Sequence, residues 1–131
     1  MSGRREIDVK RSVTITLPLP PGSLSPNSRA HWARKARDAR KCREVAAWAT
    51  IAAANGSRPF WRRCTLRAAF YHRQNRRRDD DNLIASLKSY RDGLVDGGLL
   101  ADDVGVITLP PERHIDRANP RVELTLTKLE N

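Results

Sequence analysis

The stretch Arg121-Val-Glu-Leu-Thr-Leu-Thr-Lys128 alternates strictly between apolar and polar residues. Successive side chains of a β-strand point to opposite faces, so the pattern predicts a strand with one buried and one wet face. Two earlier stretches, Ser12–Leu17 and Cys64–Tyr71, are rich in β-branched and apolar residues and predict two more strands. Val104 to Leu109 predicts another, which is stopped by Pro110-Pro111.

Two helices are predicted between these strands. The first runs from about Arg29 to Ala54, is rich in alanine and ends at Asn55-Gly56. The second runs from near Asp81 to Val95, because its large apolar residues recur at steps of three and four. The order β-α-β-α-β-β predicts an α/β (α+β) fold, in which a mixed sheet carries two packed helices.

The length of 131 residues predicts one small domain, which we place at residues 12–131. Residues 1–11 are expected to be a disordered N-terminal arm or vector-like sequence. No apolar stretch approaches the roughly 18 residues of a membrane span, and the N-terminus lacks the apolar segment of a secretory signal. The two cysteines, Cys42 and Cys64, lack metal-ligand spacing and are expected to be buried in a reducing cytoplasm.

Charge is distributed unevenly along the chain. Residues 1–78 carry a balance of +15, whereas residues 79–131 carry −5, and the pI is near 10.8. Such an excess favours a polyphosphate partner, because neutralised phosphates release condensed counterions. An aromatic content of 5% argues against an extended platform for stacking bases.

Two clusters of carboxylates, Asp79-Asp80-Asp81 and Asp102-Asp103, interrupt this basic chain. Where a strand ends, Asp79 and Asp81 are expected to point to one side and Asp80 to the other. The head of the third predicted strand is expected to bring Asp102 and Asp103 beside them. Clustered carboxylates need a cation, and oxygen ligands suit Mg²⁺, which promotes phosphodiester hydrolysis.

A lysine and several arginines add to this constellation. Lys88 follows Asp81 by two helical turns and could neutralise charge on a scissile phosphate, with Asp92 fixing its position. Each residue also has a structural interpretation: Asp81 as a helix N-cap, Lys88 and Asp92 as a surface ion pair, and Asp102-Asp103 as a turn. The expected phosphate-binding residues are Arg34, Arg37, Lys41, Arg76, Arg77 and Arg78.

The chain resembles the RusA family of Holliday-junction resolvases. The resemblance rests on Arg76-Arg-Arg-Asp-Asp-Asp-Asn-Leu83, on Lys88-x-x-x-Asp-Gly-Leu94 and on Leu100-Ala-Asp-Asp-x-Val. The segment from Leu17 to Asn27, which is rich in proline, is similar to the opening of the family.

This resemblance implies a RusA-like fold and a homodimeric endonuclease, found often in phage or prophage. The family uses Mg²⁺, with Mn²⁺ expected to substitute, to make paired nicks in four-way DNA junctions during recombination and repair. Asp79, Asp81 and Asp103 would be the catalytic metal-binding acids, Asp102 an auxiliary ligand and Lys88 the catalytic lysine. The family places its lysine four residues after the second aspartate, where this chain has Ala85, so three extra residues separate Lys88 from that position.

Other functions fit the same residues. A protein of this fold that binds branched nucleic acid without cutting it is one alternative, and the displaced lysine favours it. A nuclease for RNA or flaps is another. A ribosome-associated basic protein leaves the aspartates unexplained.

Overall fold

The computed structural model describes residues 11–129. The arm expected over residues 1–11 therefore lies outside them, apart from its last residue. The elements in chain order are β1 (Ser12–Leu17), a 3-10 turn (Gly22–Leu24), α1 (Trp32–Ala53), β2 (Cys64–His72), α2 (Asp80–Ala85), α3 (Lys88–Asp96), β3 (Val106–Thr108), β4 (Glu112–Ile115) and β5 (Arg121–Lys128).

The alternating stretch that ends the chain becomes β5, which lies between β1 and β2 and is antiparallel to both. Its apolar residues Val122, Leu124 and Leu126 are fully buried, and they pair in register with buried or partly buried residues of β1 and β2. β3 and β4 pair in parallel with successive parts of β2. The result is a mixed five-stranded sheet in one small domain with helices packed on it, which confirms the predicted α+β class.

The strand predicted from Val104 to Leu109 is shorter in the structure, where β3 covers Val106–Thr108. β3 ends before Pro110-Pro111, but the chain continues along β2 and forms β4 after the prolines. Proline lacks an N–H but is tolerated on an edge strand, where one side of the backbone needs no partner. β4 is short and mostly exposed, so it carries no apolar alternation that would reveal it.

The second predicted helix is divided into α2 and α3 by a hydrogen-bonded turn at Ser86 and Leu87. Leu87 N–H donates to the Ile84 carbonyl oxygen at 3.0 Å, the shorter 3-10 spacing. The Ser86 hydroxyl donates to the Leu83 carbonyl oxygen at 2.6 Å. A serine that bonds the preceding turn in this way competes with regular helix geometry.

α1 packs closely on α3 because two glycines face it. A Cβ added to Gly93 would lie 2.5 Å from Ala46 Cβ, and one added to Gly97 would lie 2.8 Å from Thr50 Cβ. On the solvent side, Arg43 of α1 forms an ion pair with Asp96 of α3 and so joins the same two helices. This packing holds the helix that follows the acidic cluster in a fixed position on the sheet.

Both cysteines are buried and free, as the sequence predicts. Burial raises the pKa of the Cys64 thiol to about 11. Tyr90 is buried as well, and its hydroxyl donates to the Pro18 carbonyl oxygen at 2.7 Å. This bond joins α3 to the proline-rich loop that follows β1. Within residues 11–129, every helix is too short or too polar to cross a bilayer.

Candidate active site

Three consecutive aspartates begin α2, and they have different surroundings. Asp79 is the N-cap residue, with extended backbone and no capping hydrogen bond from its side chain. Asp80 forms an ion pair with Arg113 of β4. The exposed carboxylates of Asp79 and Asp81 have no hydrogen-bond or ion-pair partner within residues 11–129. Two uncompensated acids therefore stand at the head of the helix.

These aspartates line an open groove of about 600 Å³, which we call the acid groove. Three arginines and Asn82 form the rest of its wall, so carboxylates and guanidinium groups share one surface. The lining residues are Arg77, Arg78, Asp79, Asp80, Asp81, Asn82 and Arg113. A surface of this composition can bind a cation on the acids and a phosphate on the arginines.

A second groove, of about 620 Å³, separates the proline-rich loop from the head of α2. Pro20, Pro21 and Asn27 line its loop side, while Asp79 and His72 are among the residues on its other side. Asp79 thus borders both grooves. The proline-rich loop therefore faces Asp79 across this groove.

A third pocket, of about 350 Å³, lies beside the acid groove and is strongly cationic. It is lined by His72, Gln74, Asn75, Arg76, Arg78, Arg113, His114 and Ile115. Burial together with the neighbouring Arg76 and Arg113 lowers the pKa of Arg78. Burial and the charges of Arg78 and Arg113 also lower the pKa of His72. Like charges crowd here, so an anion would relieve their repulsion.

Asp102 and Asp103 do not line the acid groove, so the expectation that they lie beside Asp79 and Asp81 is not met there. β3 runs parallel to β2, so the chain returns to the beginning of β2, where Val106 pairs with Cys64. Asp79 instead shares a groove with His72, the last residue of β2.

Asp102 and Asp103 both have partners close to them in the fold. Arg91 Nε donates to Asp103 Oδ1 at 2.8 Å, and Arg91 Nη1 donates to Thr108 Oγ1 at 3.1 Å. Asp102 Oδ1 accepts the Val104 N–H at 2.8 Å, which is the turn that the structural interpretation expects. In the part of the chain described, no three His, Cys, Asp or Glu side chains form a group arranged to hold a metal ion.

Lys88, the predicted catalytic lysine, begins α3 and is 82% exposed at its side chain. Its Nζ lies 4.0 Å from Asp92 Oδ2, the surface ion pair that its spacing also permits. It does not line any of the three grooves. In this structure the side chain of Lys88 therefore points to solvent.

The six predicted phosphate-binding residues divide into two groups. Arg77 and Arg78 line the acid groove, and Arg76 lines the cationic pocket beside it. Arg34, Arg37 and Lys41 are exposed on α1 and line none of these grooves.

Sequence reasoning missed Arg113 and His72. Arg113 lies in the strand that the prolines obscured, and His72 ends a strand whose pattern indicates only burial. The one signal for Arg113 was a cluster of charged residues directly after Pro110-Pro111.

Comparison with known proteins gives a family relation without an activity. No protein-family model matches the chain. It is 36% identical over 121 residues to an uncharacterized protein of Xylella fastidiosa, an alignment that covers 91% of this chain and 78% of that protein. Identity at this coverage shows that the chain belongs to the same family as the Xylella protein.

Proposed function

We propose that the protein is a Mg²⁺-dependent endonuclease that cuts branched DNA, in the manner of the RusA family. The observation that carries the proposal is a pair of carboxylates, Asp79 and Asp81, that have no partner among the described residues and share a groove with three arginines. Acids that bind a metal ion stand beside cations that bind a phosphate. Metal-dependent hydrolysis of a phosphodiester uses both kinds of group.

The residues of the acid groove fit the metal. Mg²⁺ commonly takes one or two carboxylates from the protein and fills its other positions with water and substrate phosphate oxygens. Asp79 and Asp81 supply that number without breaking any existing ion pair. Bound there, Mg²⁺ would supply a water of lowered pKa as nucleophile and stabilise the leaving oxygen.

The cationic pocket supports a path for the DNA strand. A strand whose scissile phosphate lies at Asp79 and Asp81 could place its next phosphates against Arg78 and Arg113, which border both the acid groove and the pocket. Arg76 and His114 would then hold a phosphate further along. Bound phosphates would also relieve the repulsion that lowers the pKa of Arg78.

We propose further that Asp103 acts in a homodimer. It does not line the acid groove of its own chain, and its surroundings suit a contact with a second copy. Val104, the next residue, is 91% exposed, and Ile107 of the edge strand β3 is exposed as well. Apolar side chains on an open sheet edge favour association, which could bring Asp103 to the acid groove of the other protomer.

The role of Lys88 depends on the turn at Ser86 and Leu87. This turn falls where the resemblance to the RusA family places three extra residues. A turn of nearly one helical repeat would keep Lys88 on the side of α2 that bears Asp81. Because its ion pair with Asp92 is exposed and weak, Lys88 can leave it to approach a bound phosphate.

One alternative has a specific observation in its favour. Lys88 and Asp103 both lie outside the acid groove of their own chain, so the protein could bind branched nucleic acid without cutting it. The arginines alone would suffice for that function.

A panel of labelled substrates tests the proposal. A four-way junction, a linear duplex, a flap and an RNA of matched sequence are incubated with Mg²⁺, Mn²⁺ or EDTA. We expect paired nicks in the junction with either metal and none in EDTA. Preferred cutting of the flap or the RNA would indicate a different nuclease, and tight junction binding without cutting would favour the binding protein.

A further inference from the structure

Phe60 has an unusual backbone conformation for an aromatic residue. Its φ is +48°, in the left-handed region that side chains with a Cβ rarely adopt. Two hydrogen bonds hold the segment in place: Phe60 N–H to the Gly98 carbonyl oxygen at 3.0 Å, and Trp61 N–H to the Leu99 carbonyl oxygen at 2.8 Å. Strained conformations that the surrounding structure maintains occur often where a side chain is presented to a ligand.

The strained segment presents its ring to solvent. The side chain of Phe60 is 51% exposed, whereas its neighbour Trp61 is 4% exposed and belongs to the core. The buried indole of Trp61 anchors the segment and thereby holds the backbone of Phe60 in place. An exposed aromatic ring on a rigid support is a surface on which a planar group can stack.

Cationic residues line a pocket together with the Phe60 ring. A pocket of about 320 Å³, the Phe60 pocket, is lined by Pro59, Phe60, Trp61, Arg62, Arg63, Lys128 and Leu129. Within residues 11–129, the side chains of Arg62, Arg63 and Lys128 have no carboxylate partner. The pocket therefore combines one aromatic face with three uncompensated positive charges.

We propose that the Phe60 pocket binds one nucleotide of a single-stranded nucleic acid, with its base stacked on Phe60 and its flanking phosphates held by Arg62, Arg63 and Lys128. Base stacking on an exposed aromatic ring beside phosphate-binding cations is the general way in which proteins hold unpaired strands. The low aromatic content of the chain excludes an extended platform, but one ring suffices for one base. An acidic peptide would use the cations and leave the ring unexplained.

This site is separate from the acid groove. The Phe60 pocket lies at the Cys64 end of β2, whereas Asp79 and His72 lie at the other end. Binding of a nucleotide there requires no metal ion and no cleavage. The proposal can therefore stand or fall without the proposed nuclease activity.

Fluorescence anisotropy in EDTA tests it, with short labelled oligothymidylate and an abasic oligonucleotide of the same length as probes. In Phe60→Gly the ring is lost, and glycine adopts a φ of +48° without strain, so the variant is expected to fold at least as stably. We expect Phe60→Gly to weaken binding of oligothymidylate at least about fivefold and to leave binding of the abasic probe within about twofold. Phe60→Tyr keeps the ring and is expected to bind both probes as the unaltered protein does.

Three results would overturn the proposal. One is unchanged affinity of Phe60→Gly for oligothymidylate. Another is an equal loss for both probes, since only the base distinguishes them. The third is a loss in Phe60→Tyr as large as that in Phe60→Gly. The same titration with oligodeoxyuridylate and oligouridylate, which differ only in the sugar, separates DNA from RNA: a preference for either strand that depends on Phe60 supports the site, and a preference that Phe60→Gly leaves unchanged contradicts it.

Discussion

At the scale of single residues, the three aspartates at the head of α2 show what a sequence can and cannot indicate. Their types and spacing predict a cation site, and two of them, Asp79 and Asp81, have no partner in the part of the chain that the structure describes. That Asp80 would be neutralised could not be predicted. Its partner, Arg113, lies 33 residues further along the chain in a strand too short and too polar to show a pattern.

His72 provides a pH-dependent test of the cationic pocket. Burial, Arg78 and Arg113 lower its pKa below the ordinary value of 6.5, so the unfolded chain binds this proton more readily than the folded one. The contribution of neutral His72 to the free energy of unfolding is therefore present above pH 6.5. It is lost as the pH falls through the lowered pKa of His72. We expect His72→Asn to reduce the fall in the free energy of unfolding between neutral and mildly acidic pH, as measured in urea. An unchanged fall would show that His72 is not held neutral.

Lys88→Met separates a catalytic role from a structural one. An exposed ion pair contributes only about 0.3–0.5 kcal/mol, so the variant is expected to unfold at nearly the same urea concentration as the unaltered protein. If Lys88 stabilises the charge of a scissile phosphate, its loss should slow junction cleavage by about 10²-fold. Single-turnover cleavage rates measure this, and an undiminished rate would leave Lys88 as a surface residue.

At the scale of elements, the periodicity of apolar residues predicted the buried strands and missed the edge strand β4 and the turn between α2 and α3. β1, β2 and β5 were predicted almost to the residue, because each has an apolar face in the core. α1 begins three residues later than predicted, since His31 is its N-cap. β4 and the break at Ser86 were missed because an edge strand and a side-chain hydrogen bond leave no periodic signal in the sequence.

The packing of α1 on α3 makes a prediction about Gly93. A Cβ at this position would lie 2.5 Å from both Ala46 Cβ and the Arg43 carbonyl oxygen, so the helices would have to separate. We expect Gly93→Ala to lower the free energy of unfolding by about 1–3 kcal/mol in urea denaturation. Gly22→Ala is the matched control, because nothing lies within 4 Å of its added Cβ. Equal stability of the two variants would contradict the close packing described for this helix pair.

At the scale of the whole molecule, the position of Asp103 outside the acid groove could not be predicted from the sequence, because it depends on the parallel register of β3 on β2. Mixing two inactive variants tests whether a dimer reunites the clusters. If Asp103 serves the partner's acid groove, a dimer of one Asp81→Asn and one Asp103→Asn chain retains one intact site. Random exchange of chains should then restore about a quarter of the sites. A dimer with one restored site should nick only one strand of the junction. No recovery after refolding the chains together would show that Asp103 does not complete the acid groove of the partner chain.

The central claim, that Asp79 and Asp81 form the metal site of a nuclease, is tested most directly by a pair of neighbouring variants. Asp81→Asn and Asp80→Asn each remove one charge from the same helix turn, but only Asp81 is unpartnered. Their rates of Mg²⁺-dependent cleavage are measured on a labelled four-way junction at saturating protein. We predict that Asp81→Asn cleaves at least about 10²-fold more slowly and still binds the junction, while Asp80→Asn stays close to the unaltered rate. Full cleavage by Asp81→Asn, or an equal loss in both variants, would contradict the claim.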